Sequence, residues 1–166
     1  ARVVLRVQVL QSLAGDVPAG LCLFDAGWHQ GVIGLVASRV KERMHRPVIA
    51  FAPADPGWMK GSARSVAGLH VRDVLDAVAA HHPGLLDKFG GHAMAAGMTL
   101  RADRLDEFSA AFAAEVARAA GDDVLSGDLH SDGPLQAGEF NADTAVAVRE
   151  GGPWGAGFAE PAFDGR

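Results

Sequence analysis

The sequence predicts an α/β domain with a terminal extension. Three observations carry that reading. Residues 21–52 read as strand, helix and strand over about 30 residues, a βαβ unit. The length, 166 residues, allows one compact domain at ~150 residues per domain. Hydrophobic residues make up 49% and charged residues 21%, a globular composition that sets aside disorder, coiled coil and collagen.

Taken in order, Val3, Val4, Val7 and Leu10 recur at helical spacing and predict the end of a helix over residues 1–14. Gly15-Asp16-Val17-Pro18 breaks it. Leu21–Phe24 is a short buried strand, and Cys22 within it reads as a small hydrophobe in a reduced, cytoplasmic compartment. Ile33, Val36, Ala37, Val40 and Met44 fall on one face of a helix over residues 31–45. Arg43, His45 and Arg46 suit its C-terminus, and Pro47 ends it. Val48–Ala52 is the next strand, parallel to the first. Pro53 to Gly57 turns the chain, and Trp58–Val66 reads as a strand containing a glycine. Val71, Val74, Leu75 and Val78 mark a helix stopped by Pro83-Gly84. Residues 89–100 read as a glycine-rich turn leading into small and apolar residues. Asp103 is the expected N-cap of a helix whose stripe is Leu105, Phe108, Phe112 and Val116, ending at Gly121. A strand over 124–131, a helix over 141–150 and a linker over Gly151–Gly157 complete the chain.

Glycine is in excess, 21 of 166 residues, about 13% against an average of ~7%. Such an excess without repeats points to backbone that turns sharply or approaches something closely. Net charge is −5, which by itself argues weakly against a nucleic-acid partner. The charge is uneven, however. Residues 1–101 hold 11 Lys+Arg and 7 Asp+Glu, a balance of +4, whereas residues 102–166 hold 4 and 13, a balance of −9. No apolar run approaches the ~20 residues of a membrane span, and no signal peptide opens the chain. It begins at Ala1 rather than Met and stops at Asp164-Gly165-Arg166, which reads as an excised piece of a longer protein.

Three loops could carry chemistry. Gly27-Trp28-His29-Gln30-Gly31-Val32-Ile33-Gly34 joins the first strand to its helix, where unpaired N–H groups and partial positive charge make an anion site. Gly31 and Gly34 would let a phosphate reach the backbone, with His29 and Gln30 as added donors. The plainer reading is a tight turn with a surface histidine. In Lys60-Gly61-Ser62-Ala63-Arg64-Ser65, the two-residue period of a strand puts Ser62 and Arg64 on one face, a hydroxyl and a guanidinium fork suited to phosphate. A solvated strand face is the alternative. In Gly90-Gly91-His92-Ala93-Met94-Ala95-Ala96-Gly97, the glycines permit close approach and His92 could donate to a phosphate oxygen; otherwise it is a turn with a satisfied histidine. His81-His82 sits at a helix end without a close carboxylate partner and reads as a decoy for metal. His45, His70 and His130 read as ordinary. No Walker A loop, G-x-S-x-G elbow, H-E-x-x-H or paired Cys is present.

Read jointly, these loops resemble the DHH-associated C-terminal domain of the DHH phosphoesterases, and within them the bacterial RecJ-type single-stranded-DNA exonucleases. The carrying stretches are Gly27–Gly34, Ala37–Arg43, Arg46–Phe51, Lys60–Ser65, Lys88–Gly97 and Gly152-Pro153-Trp154-Gly155, with Phe158, Glu160-Pro161 and Phe163-Asp164-Gly165. The resemblance covers nearly all of the chain after about residue 20. It implies a mixed β-sheet flanked by helices with a C-terminal linker extension. It implies 5′-to-3′ hydrolysis of single-stranded DNA to mononucleotides by the full-length protein, in DNA repair and recombination. It also implies a division of labour: an upstream Asp-His-His domain holds two Mn²⁺ or Mg²⁺ ions, while this domain closes over the cleft and binds phosphates. This sequence has no Asp-His-His, so no catalytic or metal residue carries over, no cofactor is expected here and the chain by itself is expected to be inactive.

Ser62 and Arg64, with Ser65 beside them, look like the family's phosphate-gripping group near the 5′ end. Gly90, Gly91 and His92 look like the loop that touches the scissile phosphate, and His29 and Gln30 fit the same rim. The implied domains are an interdomain helix over 1–14, the substrate-binding domain over 15–122, and a linker over 123–166 running into a truncated oligonucleotide-binding fold. Implied partners are the 5′ end of single-stranded DNA, the upstream domain, single-stranded-DNA-binding protein and recombination helicases. The alternatives are a nucleic-acid-binding module like that of alanyl-tRNA synthetases, or a phosphodiesterase acting on short or cyclic nucleotides. Trp28-His29-Gln30 and Ser62-Ala63-Arg64 favour the exonuclease over the first, and Pro153-Trp154-Gly155 disfavours the second.

Overall fold

A computed structural model describes residues 17–126, 131–155 and 158–164. The expected helix over 1–14 and His130 lie outside the described residues. The chain divides into two compact units, Ala1–Gly127 and Asp128–Arg166.

In the first unit, β1 (Leu21–Phe24), α1 (Ile33–Met44) and β2 (Val48–Pro53) form the expected βαβ unit, with β1 and β2 parallel. Then come β3 (Trp58–Arg64), α2 (Val71–His81), β4 (Lys88–Gly91), β5 (Ala95–Arg101), α3 (Leu105–Ala119) and the short α4 (Asp122–Ser126). The five strands make one mixed sheet in the order β1-β2-β3-β5-β4, antiparallel from β2 onward. The fold is therefore the α/β class that the sequence predicts.

Side-chain alternation decides what each sheet face does. On β2, Val48, Ala50 and Ala52 pack with Ile33, Val36, Ala37 and Val40 of α1, while Ile49 and Phe51 enter the larger core. Both faces of β2 are covered, so it reads as an uninterrupted apolar run. The larger core joins Met59, Ala63, Met98 and Leu100 of β3 and β5 to apolar residues of α2 and α3. Phe108 of α3 meets Phe51 edge-on at 5.8 Å. Gly61 leaves room for the Phe51 ring: a Cβ there would stand 2.6 Å from Phe51 Cε1.

The helix α1 ends as its sequence suggests. His45 takes the left-handed conformation at φ 46°, its N–H bonds to the Lys41 carbonyl, and Pro47 follows two residues on. Cys22 packs against the larger core, and burial of its thiol pushes its pKa up to about 12, opposed by a hydrogen bond with Ser109.

Three local expectations are corrected. Residues 89–100 are not a turn but most of a β-hairpin, β4 and β5, closed by the His92 N–H bonding to the Ala95 carbonyl at 2.8 Å. The start of the strand expected over 124–131 is helix α4, with Val124 and Leu125 packed on the core. Asp103 does not cap α3. A short 3₁₀ turn over Ala102–Arg104 precedes that helix, and Asp103 instead forms a two-pronged ion pair with Arg101 at 3.0 and 2.8 Å.

In the second unit, α5 (Ala142–Glu150) is capped by Asn141, whose Oδ1 accepts the Thr144 N–H at 2.9 Å. Trp154 donates its indole N–H to the Val148 carbonyl at 2.7 Å and stacks on Phe158 at 4.8 Å. Those contacts fold Gly151–Gly155, expected as linker, onto α5.

Candidate nucleic-acid interface

The sheet face that carries α1 is covered only in part. Trp58, Lys60, Ser62 and Arg64 alternate with buried Met59, Gly61 and Ala63. Ala95, Gly97, Thr99 and Arg101 alternate in the same way with buried Ala96, Met98 and Leu100. Cross-strand register then aligns rows on the open side: Lys60–Thr99–Lys88, Ser62–Gly97–Gly90 and Arg64–Ala95. None of these positions is acidic, in a chain whose net charge is −5. Gly90 and Gly97 form a bare floor in the middle row, since a Cβ added at Gly90 would meet nothing within 4 Å and one at Gly97 would only just reach the Gly61 carbonyl, at 4.0 Å.

At the edge of this face, the N-terminus of α1 meets β3. The Arg64 side chain folds back along the strand. Its Nη1 donates to Ser62 Oγ at 2.9 Å and to the Ala63 carbonyl at 2.7 Å. A Cβ on Gly34, in the first turn of α1, would stand 2.7 Å from Arg64 Nη2 and 3.3 Å from Ser62 Oγ. Two of the three sequence loops thus converge on one spot. The helix end there is electrostatically incomplete: no side chain caps α1, and its first turn holds no acidic residue. Arg64 is partly buried and, among the described residues, has no carboxylate partner. By contrast Arg72, Arg101, Arg104 and Arg118 pair with Asp76, Asp103, Glu107 and Glu115. A guanidinium, a hydroxyl and an uncapped helix N-terminus, mutually close and uncompensated, make a site for an anion with several oxygens.

The third loop enters from the far side of β3. The hairpin turn that holds His92 is tied to the end of β3 by the Ser65 N–H, which bonds to the Met94 carbonyl at 3.0 Å. His92 itself is exposed. Gly91 is obligatory, with φ at 152° and no room for a Cβ, which would lie 2.4 Å from the Ala95 carbonyl oxygen. Gly90 is sterically free.

The remaining expected site residues are placed differently. Ser65 is 1% exposed and donates its hydroxyl to the Leu69 carbonyl at 2.7 Å, so it holds the turn after β3 and is not on the open face. His29 is exposed, and its Nδ1 accepts the Gly31 N–H at 3.0 Å, which leaves Nε2 as the outward nitrogen. Gln30 donates from Nε2 to the Pro53 carbonyl at 3.1 Å, bracing the loop against β2. Lys60, Thr99, Lys88 and Gly97 join the face without having been singled out as binding residues. The alternation that places Ser62 with Arg64 would also have placed Lys60, but the cross-strand neighbours depend on register.

His81 corrects another expectation. It does have a carboxylate partner: Glu115 of α3 lies 2.8 Å from its Nδ1, 34 residues away in sequence. Glu115 is buried and also accepts two bonds from Arg118 Nη1 at 2.7 Å. The His81 hydrogen bond, foremost, holds the Glu115 carboxyl below the usual range, with burial opposing and Arg118 adding. These groups line a groove of about 520 Å³ between α2 and α3, away from the open face. Among the described residues, no group of three or more His, Cys, Asp or Glu could hold a metal ion, and the donors on the open face are cations and hydroxyls, which do not fit one. No described helix is long and apolar enough to cross a membrane.

The DHHA1 domain family matches residues 8–118. The chain is 55% identical over 157 residues to the single-stranded-DNA-specific exonuclease RecJ of Dickeya dadantii, covering 95% of this chain and 27% of that protein. It is 50% identical over 156 residues to the Escherichia coli protein of the same name, covering 94% and 27%. The chain thus spans about a quarter of the length of these relatives. Among solved structures, it resembles RecJ from Thermus thermophilus in complex with Mg²⁺, with a TM-score of 0.70 and 29% identity over 94% of this chain and 24% of that one.

Proposed function

The chain belongs to the DHHA1 domain family in its RecJ-type branch, and from that premise we propose that it is the substrate-binding domain of a metal-dependent 5′-to-3′ single-stranded-DNA exonuclease. The observation that carries the reading is the uncompensated Arg64 guanidinium, held against Ser62 and the uncapped start of α1. A terminal phosphate seated there receives the free N–H groups of Arg64, the Ser62 hydroxyl and the partial positive charge of the helix. Gly97 and Gly90 let the strand lie close to the sheet, and His92 stands at the hairpin turn to donate to a phosphate oxygen.

The hydrolytic step belongs to another domain of the full-length protein. Solved RecJ relatives hold Mg²⁺ or Mn²⁺, and those ions would sit in a separate domain that bears the Asp-His-His motif. This chain's residues grip and orient the strand. The reading places the enzyme in the cytoplasm, in DNA repair and recombination, with single-stranded-DNA-binding protein and helicases as neighbours.

Arg64→Ala in the full-length protein tests it. The expected loss is about 1–3 kcal/mol, that of a hydrogen bond to a charged group. The measurement is kcat/KM on a 5′-phosphorylated oligonucleotide, and an unchanged value would remove Arg64 from the site.

A further inference from the structure

Beyond the Arg64 anchor, the open face carries a second row of uncompensated cations. Lys60 and Lys88 occupy the same row with Thr99 between them. Neither lysine has an ion pair among the described residues. Lys60 is exposed, and its Nζ donates to Thr99 Oγ1 at 2.7 Å, which leans the ammonium over β5. Two ammonium groups two strands apart, about 10 Å by backbone spacing, stand on long side chains that can converge on one anion between them. With Thr99 they offer two charged donors and a hydroxyl.

The row has a defined relation to the anchor. Lys60 is two residues along β3 from Ser62, about 7 Å, and Thr99 stands one strand further across, about 5 Å, so an anion between the lysines lies diagonally about 8–9 Å from Ser62 by backbone spacing, a span the long lysine side chains shorten toward the step between successive phosphates. Gly97 and Gly90 continue the Ser62 row across the sheet as the glycine floor beside it. The next row outward ends the series, because Arg101 there is already spent on Asp103. We propose that Lys60, Thr99 and Lys88 form a second phosphate subsite, so that the strand bound at Arg64 crosses the sheet diagonally from β3 over Gly97 and is held at the phosphate next to the anchored one. The proposal rests on the DNA-binding reading of this face and adds to it the direction of the strand.

The test uses the full-length protein carrying Lys60→Gln and Lys88→Gln together, with Arg64→Ala as a separate protein. The ligands are short oligothymidylates with and without a 5′-phosphate, titrated at several salt concentrations. Losing the one phosphate that the two lysines share lowers the slope of log affinity against log salt by about 0.7, the value per phosphate on single strands. The preference for a 5′-phosphate stays as in the parent. The double Lys→Arg variant keeps the charge and should keep the parental slope, which separates lost contacts from lost folding. Arg64→Ala should abolish the 5′-phosphate preference, lowering the slope on the 5′-phosphorylated ligand and leaving it parental on the unphosphorylated one. An unchanged slope in the glutamine variant, while Arg64→Ala behaves as stated, overturns the second subsite and leaves the anchor standing. A 5′-phosphate preference that survives Arg64→Ala overturns both.

Discussion

Replacing Gly34 by alanine separates the fold from the site. Gly34 lies in the first turn of α1, and its φ is not in the left-handed region, so alanine is conformationally acceptable there. In a helix that exchange is worth up to ~1 kcal/mol in favour of alanine. The new methyl, however, would stand 2.7 Å from Arg64 Nη2 and 3.3 Å from Ser62 Oγ. The first of these is the end of a long side chain, which can swing away without disturbing the core. G34A therefore leaves the melting temperature equal or slightly raised. It also moves the guanidinium and fills the place of the anion. The loss in binding a 5′-phosphorylated oligonucleotide should be about 1–3 kcal/mol, or roughly 5- to 150-fold. Calorimetric melting and a fluorescence titration of the full-length G34A protein measure the two effects. Parental affinity would show that no anion sits between α1 and Arg64. A melting point several degrees lower would show that more than the Arg64 side chain had to move.

Two further outcomes follow from the same geometry. Gly91→Ala should destabilise the hairpin by about 1–3 kcal/mol, because a Cβ at φ 152° meets backbone that cannot yield, whereas Gly90→Ala one residue earlier should fold normally; urea midpoints compare them, and equal midpoints would refute the distinction. Glu115, with its pKa depressed in the folded state, contributes stability that is complete above the ordinary glutamate value of ~4.3 and disappears as pH falls through the lower folded value. Glu115→Gln should flatten the acid limb of a stability–pH profile, and an unaltered limb would assign the acid sensitivity to other carboxylates.

What the sequence makes legible here is what lies within one element or one turn. The apolar spacing of α1, the run Val48–Ala52 and the stop at Pro47 come from local chemistry, and each stands where that chemistry puts it. Ser62 and Arg64 share a face because a strand has a period of two. The hairpin over 88–101 is hidden because its glycines, Gly90, Gly91 and Gly97, read as turn residues although only Gly91 has positive φ. Asp103 has a good capping residue type, yet Arg101 two residues away offers it a charged partner instead. Ser65 looks like its neighbour Ser62 in sequence, but the chain leaves β3 between them and buries it. The decisive relations are tertiary. Gly34 meets Arg64 across 30 residues, and His81 finds Glu115 across 34; neither pair has a local signal.

The acidic net charge also takes on a different meaning. Most of the described arginines are neutralised by adjacent carboxylates, and the cations left without one include Arg64, Lys60 and Lys88 on the open sheet face. The proposed role of this face is to hold the phosphates of a single strand, with the terminal one at Arg64. A crystal structure of the full-length protein with a 5′-phosphorylated oligonucleotide tests that most directly. The expected result is a phosphate with oxygens about 3 Å from both Ser62 Oγ and the Arg64 guanidinium, beside Gly34 and with the strand over Gly97 and Gly90. A strand bound instead in the groove of His81, Glu115 and Arg118, with Arg64 still on Ser62 and no phosphate beside it, would contradict it.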